Sequence, residues 1–174
     1  NPWGEGPAGT RNILCINTTV QCVIGVVNSA IEIIRRDILP KYPNVDDVIT
    51  INHQYGCGVA IDAPEARVPQ RIIRNIATHP NFGGEGGFML VSLGCEKFTP
   101  ERFCEWWPHL NTPENVIILQ EHKGQAAVME AILSMAEKKL EFLNLRKRQT
   151  LPLSDLIVGM QCGGSDAFSG ITAN

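Results

Sequence analysis

Five short apolar segments, separated by helical patterns, constrain the fold of this chain more than any other feature. They occupy residues 13–16, 48–51, 88–93, 116–119 and 156–160. Short apolar strands that alternate with amphipathic helices predict parallel βαβ units, because crossover helices cover both faces of a parallel sheet. The sequence therefore predicts an α/β fold, a three-layer, Rossmann-like sandwich with a mostly parallel sheet of about five strands.

The helical patterns also predict which side of each helix faces the sheet. The helix after the first strand carries apolar residues at helical spacing and is expected to end at Pro40. In the helix after the second strand, Val68, Ile72 and Ile76 are predicted to form the buried face, with water-facing arginines on the other side: Arg67, Arg71 and Arg74.

The 174 residues are enough for one domain of ordinary size with a substantial core. Residues 1–10 are rich in glycine and proline and predict a lead-in segment. Residues 11–164 predict a single α/β domain. Residues 165–174 are expected to begin a helix that leads into a C-terminal domain absent from this chain.

The composition narrows the classes of function. A net charge of −3, with 44% hydrophobic and 19% charged residues, indicates a globular protein and gives no electrostatic case for nucleic acid or an anionic membrane. No apolar run approaches the length of a membrane span. The six cysteines lie in or just after apolar segments and lack the pattern of a disulfide scaffold, so reduced thiols in a cytoplasmic protein are expected.

Glycine-flanked cysteines follow three of the predicted strands: Cys57, Cys95 and Cys162. The carboxyl ends of parallel strands meet at one edge of the sheet, where α/β folds bind ligands. These thiols, with His53 and Glu96 nearby, are candidate ligands of one divalent metal ion such as iron, manganese or zinc. The spacing matches no standard zinc or iron–sulfur pattern, so the metal stays open.

Each candidate also has an ordinary structural interpretation. A cysteine after a buried strand is often just a small core residue, and the His53 ring can be satisfied by loop backbone rather than act as a ligand or general base. Ser165 and Asp166 lie where a helix should begin, so they are candidate N-caps as well as candidate anion-site residues. Arg11 precedes the first strand and is expected at the opposite edge unless the preceding loop folds over.

Several motifs together resemble one family, the altronate and galactarate dehydratases. The resemblance runs in order along nearly the whole chain, and it leans towards the galactarate branch at residues 39–46 and 81–85. The motifs that carry it are Gly9-Thr10-Arg11-Asn12, His53-Gln54-Tyr55-Gly56-Cys57-Gly58, His79-Pro80-Asn81-Phe82, Gly94-Cys95-Glu96, Gln161-Cys162-Gly163-Gly164-Ser165-Asp166 and Ser169-Gly170-Ile171-Thr172-Ala173-Asn174.

The resemblance implies a metal-dependent hydro-lyase that removes water from a sugar diacid, most simply galactarate, to give 5-dehydro-4-deoxy-glucarate. It implies iron(II), with manganese(II) as the alternative, and a larger enzyme that is a candidate homo-oligomer. On this hypothesis the metal site is formed or lined by Cys57, Cys95, Cys162 and His53, with His53 and Glu96 as the candidate catalytic residues. Glu96 supports the site or acts as base, and Arg11, Ser165 and Asp166 orient the diacid.

Two other classes of function stay open at this point. One is a related lyase that acts on altronate or another hydroxy acid, including a sulfolactate-type substrate, which a substrate panel would distinguish. The other is a non-catalytic interaction domain, for which the thiols are plain core residues and no metal or small acid binds.

Overall fold

The computed structural model of the chain describes residues 8–58, 60–82, 84–159 and 168. Within this range, four parallel strands form one sheet in the order β2-β1-β3-β4. The strands are β1 (Ile13–Thr18), β2 (Asp47–Ile51), β3 (Phe88–Ser92) and β4 (Val116–Ile118). The helices are α1 (Ile24–Ile33), α2 (Arg67–Ala77), α3 (Pro100–Phe103) and α4 (Gly124–Asn144).

Helices cover both faces of this sheet, which confirms the predicted three-layer α/β architecture. On one face, α1 and α4 pack over alternate strand residues: Leu14, Ile16, Val48, Met89, Val91 and Ile117. On the other face, Phe88 and Leu90 of β3 pack with residues of α2 and α3: Ile73, Ala77 and Phe103. The alternation follows from the strand period of two, which sends successive side chains to opposite faces.

The number of strands is the first correction, because the described residues form a sheet of four strands and not five. Residues 156–159 of the predicted fifth strand are irregular, and Met160 lies outside the described residues. Ile157 and Val158 are 74% and 70% exposed. An apolar strand needs a paired neighbour and a cover for its faces, and the described part of the chain supplies neither to this segment.

The predicted buried face of helix α2 is wrong, although Arg67 and Arg71 are exposed as predicted. Val68, Ile72 and Ile76 are exposed, while Arg74 is buried. The Arg74 Nε donates to the Phe103 backbone oxygen at 3.2 Å, and its Nη2 donates to Glu105 Oε2 at 2.8 Å. A buried arginine is tolerated when its nitrogens have partners, and these partners come from a segment distant in sequence. The helix pattern alone therefore chose the wrong face.

The strand order places the topological switch point, where successive connections leave in opposite directions, between the two central strands β1 and β3. The chain leaves β1 for β2 on one side, then crosses to β3 on the other side, and Thr18 lies level with Val91 in the register. In open α/β sheets, ligands bind outside the carboxyl ends of the strands at such a switch point.

Among the helices in the described ranges, none combines the length and apolar character that a membrane span requires.

Candidate functional site

The loops that follow β1, β2 and β3 contact one another at the carboxyl edge of the sheet. Two of the three predicted cysteine-bearing loops, those with Cys57 and Cys95, are among them, while Cys162 lies outside the described residues. Gly56, in the loop after β2, lies so close to the end of β1 that a Cβ on it would be 2.0 Å from the Thr19 backbone oxygen. The Gly56 backbone oxygen accepts hydrogen bonds from the backbone of Lys97 and Phe98, at 2.8 and 3.1 Å. The second loop is thus held between the other two.

Glu96 joins the ends of the two central strands across the switch point. Its Oε1 accepts hydrogen bonds from the hydroxyls of Thr19 and Ser92 and from the Leu93 backbone N–H at 3.0 Å. Its Oε2 accepts from the Gly94 backbone N–H at 2.6 Å. Gly94 has a φ of 117°, a left-handed conformation that favours glycine and lets the loop turn back on this carboxylate.

The environment of Glu96 keeps its carboxylate ionised although the side chain is buried. Burial opposes ionisation, but the hydrogen bonds from Ser92, Thr19 and the backbone outweigh it and hold the pKa of Glu96 below its usual range. A carboxylate already bonded to four donors is a poor proton acceptor. The geometry therefore favours a supporting role for Glu96 over the role of general base.

His53 has the most unusual environment in this region. Its side chain is 1% exposed, and neither Nδ1 nor Nε2 has a hydrogen-bond partner among the described residues. The ring packs against Phe98 and Tyr55, with centroids 4.8 and 5.9 Å away, and the backbone N–H donates to Thr18 Oγ1 at 2.8 Å. Burial lowers the pKa of His53 to about 4, so the imidazole is neutral near pH 7.

Among the described residues, one side chain, His53, is suited to bind a metal ion, but together these residues do not form a complete metal site. The neutral, unpartnered imidazole of His53 is in the form that binds metals. Cys57 and Cys95 are exposed thiols on the same loops. Within the described ranges, however, no group of three His, Cys, Asp or Glu side chains lies close enough to hold a metal ion. Any metal bound here needs further donors.

A cavity of about 270 Å³ opens beside Glu96, between the ends of β3 and β4. Its lining includes the carboxylates of Glu96, Glu101 and Glu121 together with Gly94 and Gln120. Three carboxylates repel a doubly charged acid. This cavity is therefore a poor site for a doubly charged anion.

Of the remaining sequence-based candidates, the structure describes only Arg11, which does not lie at this edge. Arg11 precedes β1, and its guanidinium lies 4.0 Å from Asp47, the first residue of β2. The length of β1 separates it from Thr18 by about 20 Å at about 3.3 Å per residue. Three further candidates lie outside the described residues: Cys162, Ser165 and Asp166.

Three hydroxyl residues of the site were missed by the sequence analysis: Thr18, Thr19 and Ser92. All three are fully buried, and each bonds a neighbouring loop or Glu96. A signal for them exists in the sequence, because two consecutive threonines end a strand whose first residues are almost all apolar. The partners of those hydroxyls are distant in sequence, so the signal gives the position without the role.

Comparison with known proteins assigns the chain to a family. Residues 3–144 match the family described as D-galactarate dehydratase/Altronate hydrolase, second domain. The chain belongs to the galactarate and altronate dehydratase family. Residues 153–174 match the D-galactarate/Altronate dehydratase C-terminal family, which begins just before the exposed apolar segment at 156–159. The exposed apolar segment at 156–159 thus falls in the C-terminal family match and not in the match to the second domain.

Individual relatives agree with the family assignment. The chain is 53% identical over 176 residues to galactarate dehydratase (L-threo-forming) of Escherichia coli strain K12. It is 37% and 32% identical to altronate dehydratases of Bacillus subtilis strain 168 and E. coli strain K12. Each match covers 98% of this chain and 33% of the relative. The chain thus spans about a third of the length of these relatives.

Proposed function

We propose that this chain is part of a longer protein, called the full-length parent below, with about the length of its relatives. We propose that this parent is a hydro-lyase that removes water from a sugar diacid, with galactarate as the substrate and 5-dehydro-4-deoxy-glucarate as the product. The observation that carries the choice of substrate is the 53% identity to a protein named galactarate dehydratase, against 37% and 32% for two named altronate dehydratases. Altronate is the second candidate because those relatives match the same share of the chain.

The location of the proposed site rests on His53. Burying an imidazole without hydrogen-bond partners costs stability, so a residue in that state at the switch point of the sheet suggests a use beyond packing. A general base works best with a pKa near the operating pH, whereas the pKa of His53 is about 4. We therefore propose that His53 acts as a metal ligand in preference to a general base.

A divalent metal, iron(II) first and manganese(II) as the alternative, is part of the proposal. It would be held by His53 with Cys57, Cys95 and Cys162. When bound, the metal would supply a Lewis acid for the charge that develops on the substrate carboxylate as the neighbouring proton leaves. The exposed thiols favour a reducing compartment such as the cytoplasm, where they persist unoxidised.

The other residues of the proposal bind and orient. Glu96, fully engaged by hydrogen bonds, fixes the loop that carries Cys95. Ser165 and Asp166 are proposed to bond the hydroxyls of the diacid. Arg11 is left out of the proposed site because its guanidinium lies beside Asp47 at the amino edge of the sheet.

The test is turnover by the full-length parent, purified without oxygen and offered galactarate, altronate and sulfolactate separately. We expect formation of a 2-oxo acid from galactarate, with kcat/KM at least about tenfold above that for altronate, a difference of about 1.4 kcal/mol in transition-state binding. Chelation is expected to remove the activity, and ferrous ion to restore it.

Two results would contradict the proposal in different ways. Preference for altronate or sulfolactate would retain the lyase and replace the substrate. Turnover of none of the three acids by a metal-loaded, folded parent would remove the dehydratase assignment itself.

A further inference from the structure

The buried hydroxyls of Thr18 and Thr19 link the end of the central strand to both neighbouring loops. From this geometry we infer that the two threonines are positioning residues, which hold the His53 loop and the Glu96 loop in fixed relation to each other. This inference deepens the proposed function and rests on it for its catalytic consequence, but its structural part stands on the hydrogen bonds alone.

Thr18 positions the loop after β2. Its Oγ1 accepts a hydrogen bond from the His53 backbone N–H at 2.8 Å and lies 3.4 Å from the Ile51 backbone oxygen, to which it donates. The contact fixes the backbone at the residue whose imidazole is buried without partners. A loss of this acceptor would leave a buried N–H unsatisfied and release the start of the loop.

Thr19 positions the loop after β3. Its hydroxyl donates to Glu96 Oε1, and the same oxygen accepts from the Ser92 hydroxyl and the Leu93 N–H. The carboxylate thereby ties the residues on both sides of Cys95 to the end of β1. Hydrogen bonds to a charged group are stronger than neutral ones, so this connection is expected to be rigid.

The two threonines bond the loops of the two strands that flank β1, and Gly56 connects these two loops to each other. The close approach of Gly56 to the Thr19 backbone, together with the bonds from Lys97 and Phe98 to Gly56, connects the second and third loops directly. A shift of either loop therefore disturbs the other. Side chains that orient functional groups in this way commonly change metal affinity or activity by about 10–100-fold when removed.

The test uses the full-length parent with Thr18→Val and Thr19→Val, which keep the shape and remove the hydroxyl, and with Thr18→Ser and Thr19→Ser, which keep the hydroxyl. Thr50→Val is the matched control, because Thr50 lies on β2 and its hydroxyl donates to the nearby Asn52 Oδ1 at 2.9 Å rather than to either loop of the candidate site. Amide hydrogen exchange, kcat, KM and melting temperature are measured for each variant.

We expect Thr18→Val to speed exchange of the His53 amide by about tenfold or more, and Thr19→Val to do the same for the amides of Leu93 and Gly94. Both valine variants should lower kcat by about 10–100-fold with KM within about twofold. Both serine variants should restore these values, and Thr50→Val should match the wild type. Thr18 tests the loop after β2 and Thr19 tests the loop after β3. If one variant fails to fold, the other can still be measured.

The inference is overturned if the valine variants change only the melting temperature and leave the exchange of those amides and kcat as in the wild type. It is also overturned if serine fails as valine does, since packing and not the hydroxyl would then matter. A wild-type parent that turns over no sugar acid would remove the proposed function, and the exchange measurements would still decide whether the threonines hold the loops.

Discussion

Replacing His53 with leucine is expected to lower sugar-acid turnover by the full-length parent by about 10²-fold or more, because it removes a proposed ligand of a metal whose Lewis acidity contributes several kcal/mol of transition-state stabilisation. Leucine has about the volume of histidine and suits the pocket formed by Phe98 and Tyr55. It cannot bind a metal or carry a proton. The measurement is kcat for galactarate by the anaerobically purified variant.

The same substitution is expected to leave stability unchanged or to raise it by up to about 1–3 kcal/mol, because it removes two buried nitrogens that have no partner in the described part of the chain. Loss of activity with a gain in stability is the signature of a residue kept for function. His79→Leu is the control, since His79 is exposed and its Nδ1 accepts from the Asn81 N–H. Strong destabilisation with unchanged turnover would make His53 an ordinary core residue.

Gly56→Ala is expected to destabilise the chain by about 3 kcal/mol, at the upper end of the cost of overpacking a tight site. The added Cβ would lie 2.0 Å from the Thr19 oxygen and 3.1 Å from the Val20 Cα, and both are backbone atoms that cannot rotate away. The loop would have to move and would strain its bonds to Lys97 and Phe98. Urea denaturation of the 174-residue chain measures the change.

Gly58→Ala provides the matched control two residues further along the same loop. Nothing lies within 4 Å of a Cβ at that position, so its effect on the free energy of unfolding should stay within about 0.5 kcal/mol. Equal effects of the two alanines would mean that the close approach of the β1 and β2 loops is not part of the folded chain. The contrast therefore tests the convergence of the loops without any assumption about function.

The architecture was predictable from the sequence because strand and helix periods depend on nearby residues. The alternation of short apolar runs and helices gave the parallel sheet with two helical layers. The segment at 156–160 has the same local pattern as a strand of this sheet, yet residues 156–159 are irregular and lie in the C-terminal family match. Whether an apolar run pairs with a sheet depends on partners that local pattern does not contain.

The face of α2 shows a second limit of local pattern. Arg74 is buried because carbonyl and carboxylate groups of residues 28 to 31 positions away accept its hydrogen bonds. No helical period contains that information. As a result, three large apolar side chains of the helix are exposed: Val68, Ile72 and Ile76.

The candidate site was also predictable only in part. Its place at the carboxyl edge followed from the parallel strands, and the loops with Cys57 and Cys95 do meet there through Gly56 and the Lys97–Phe98 backbone. Thr18 and Thr19 escaped notice because their partners are 35 and 77 residues away. The burial of His53 depends on Phe98, which comes from another loop, so the sequence could not predict it either.

On the proposed function, the loops after β1, β2 and β3 form one binding site for the sugar diacid. The measurement is hydrogen exchange of the metal-loaded full-length parent, with and without galactarate, under conditions that slow turnover. We expect galactarate to protect the amides of residues 53–58 and 93–98 together, at the same ligand concentration. Protection confined to other parts of the protein, with these two loops unchanged, would contradict it.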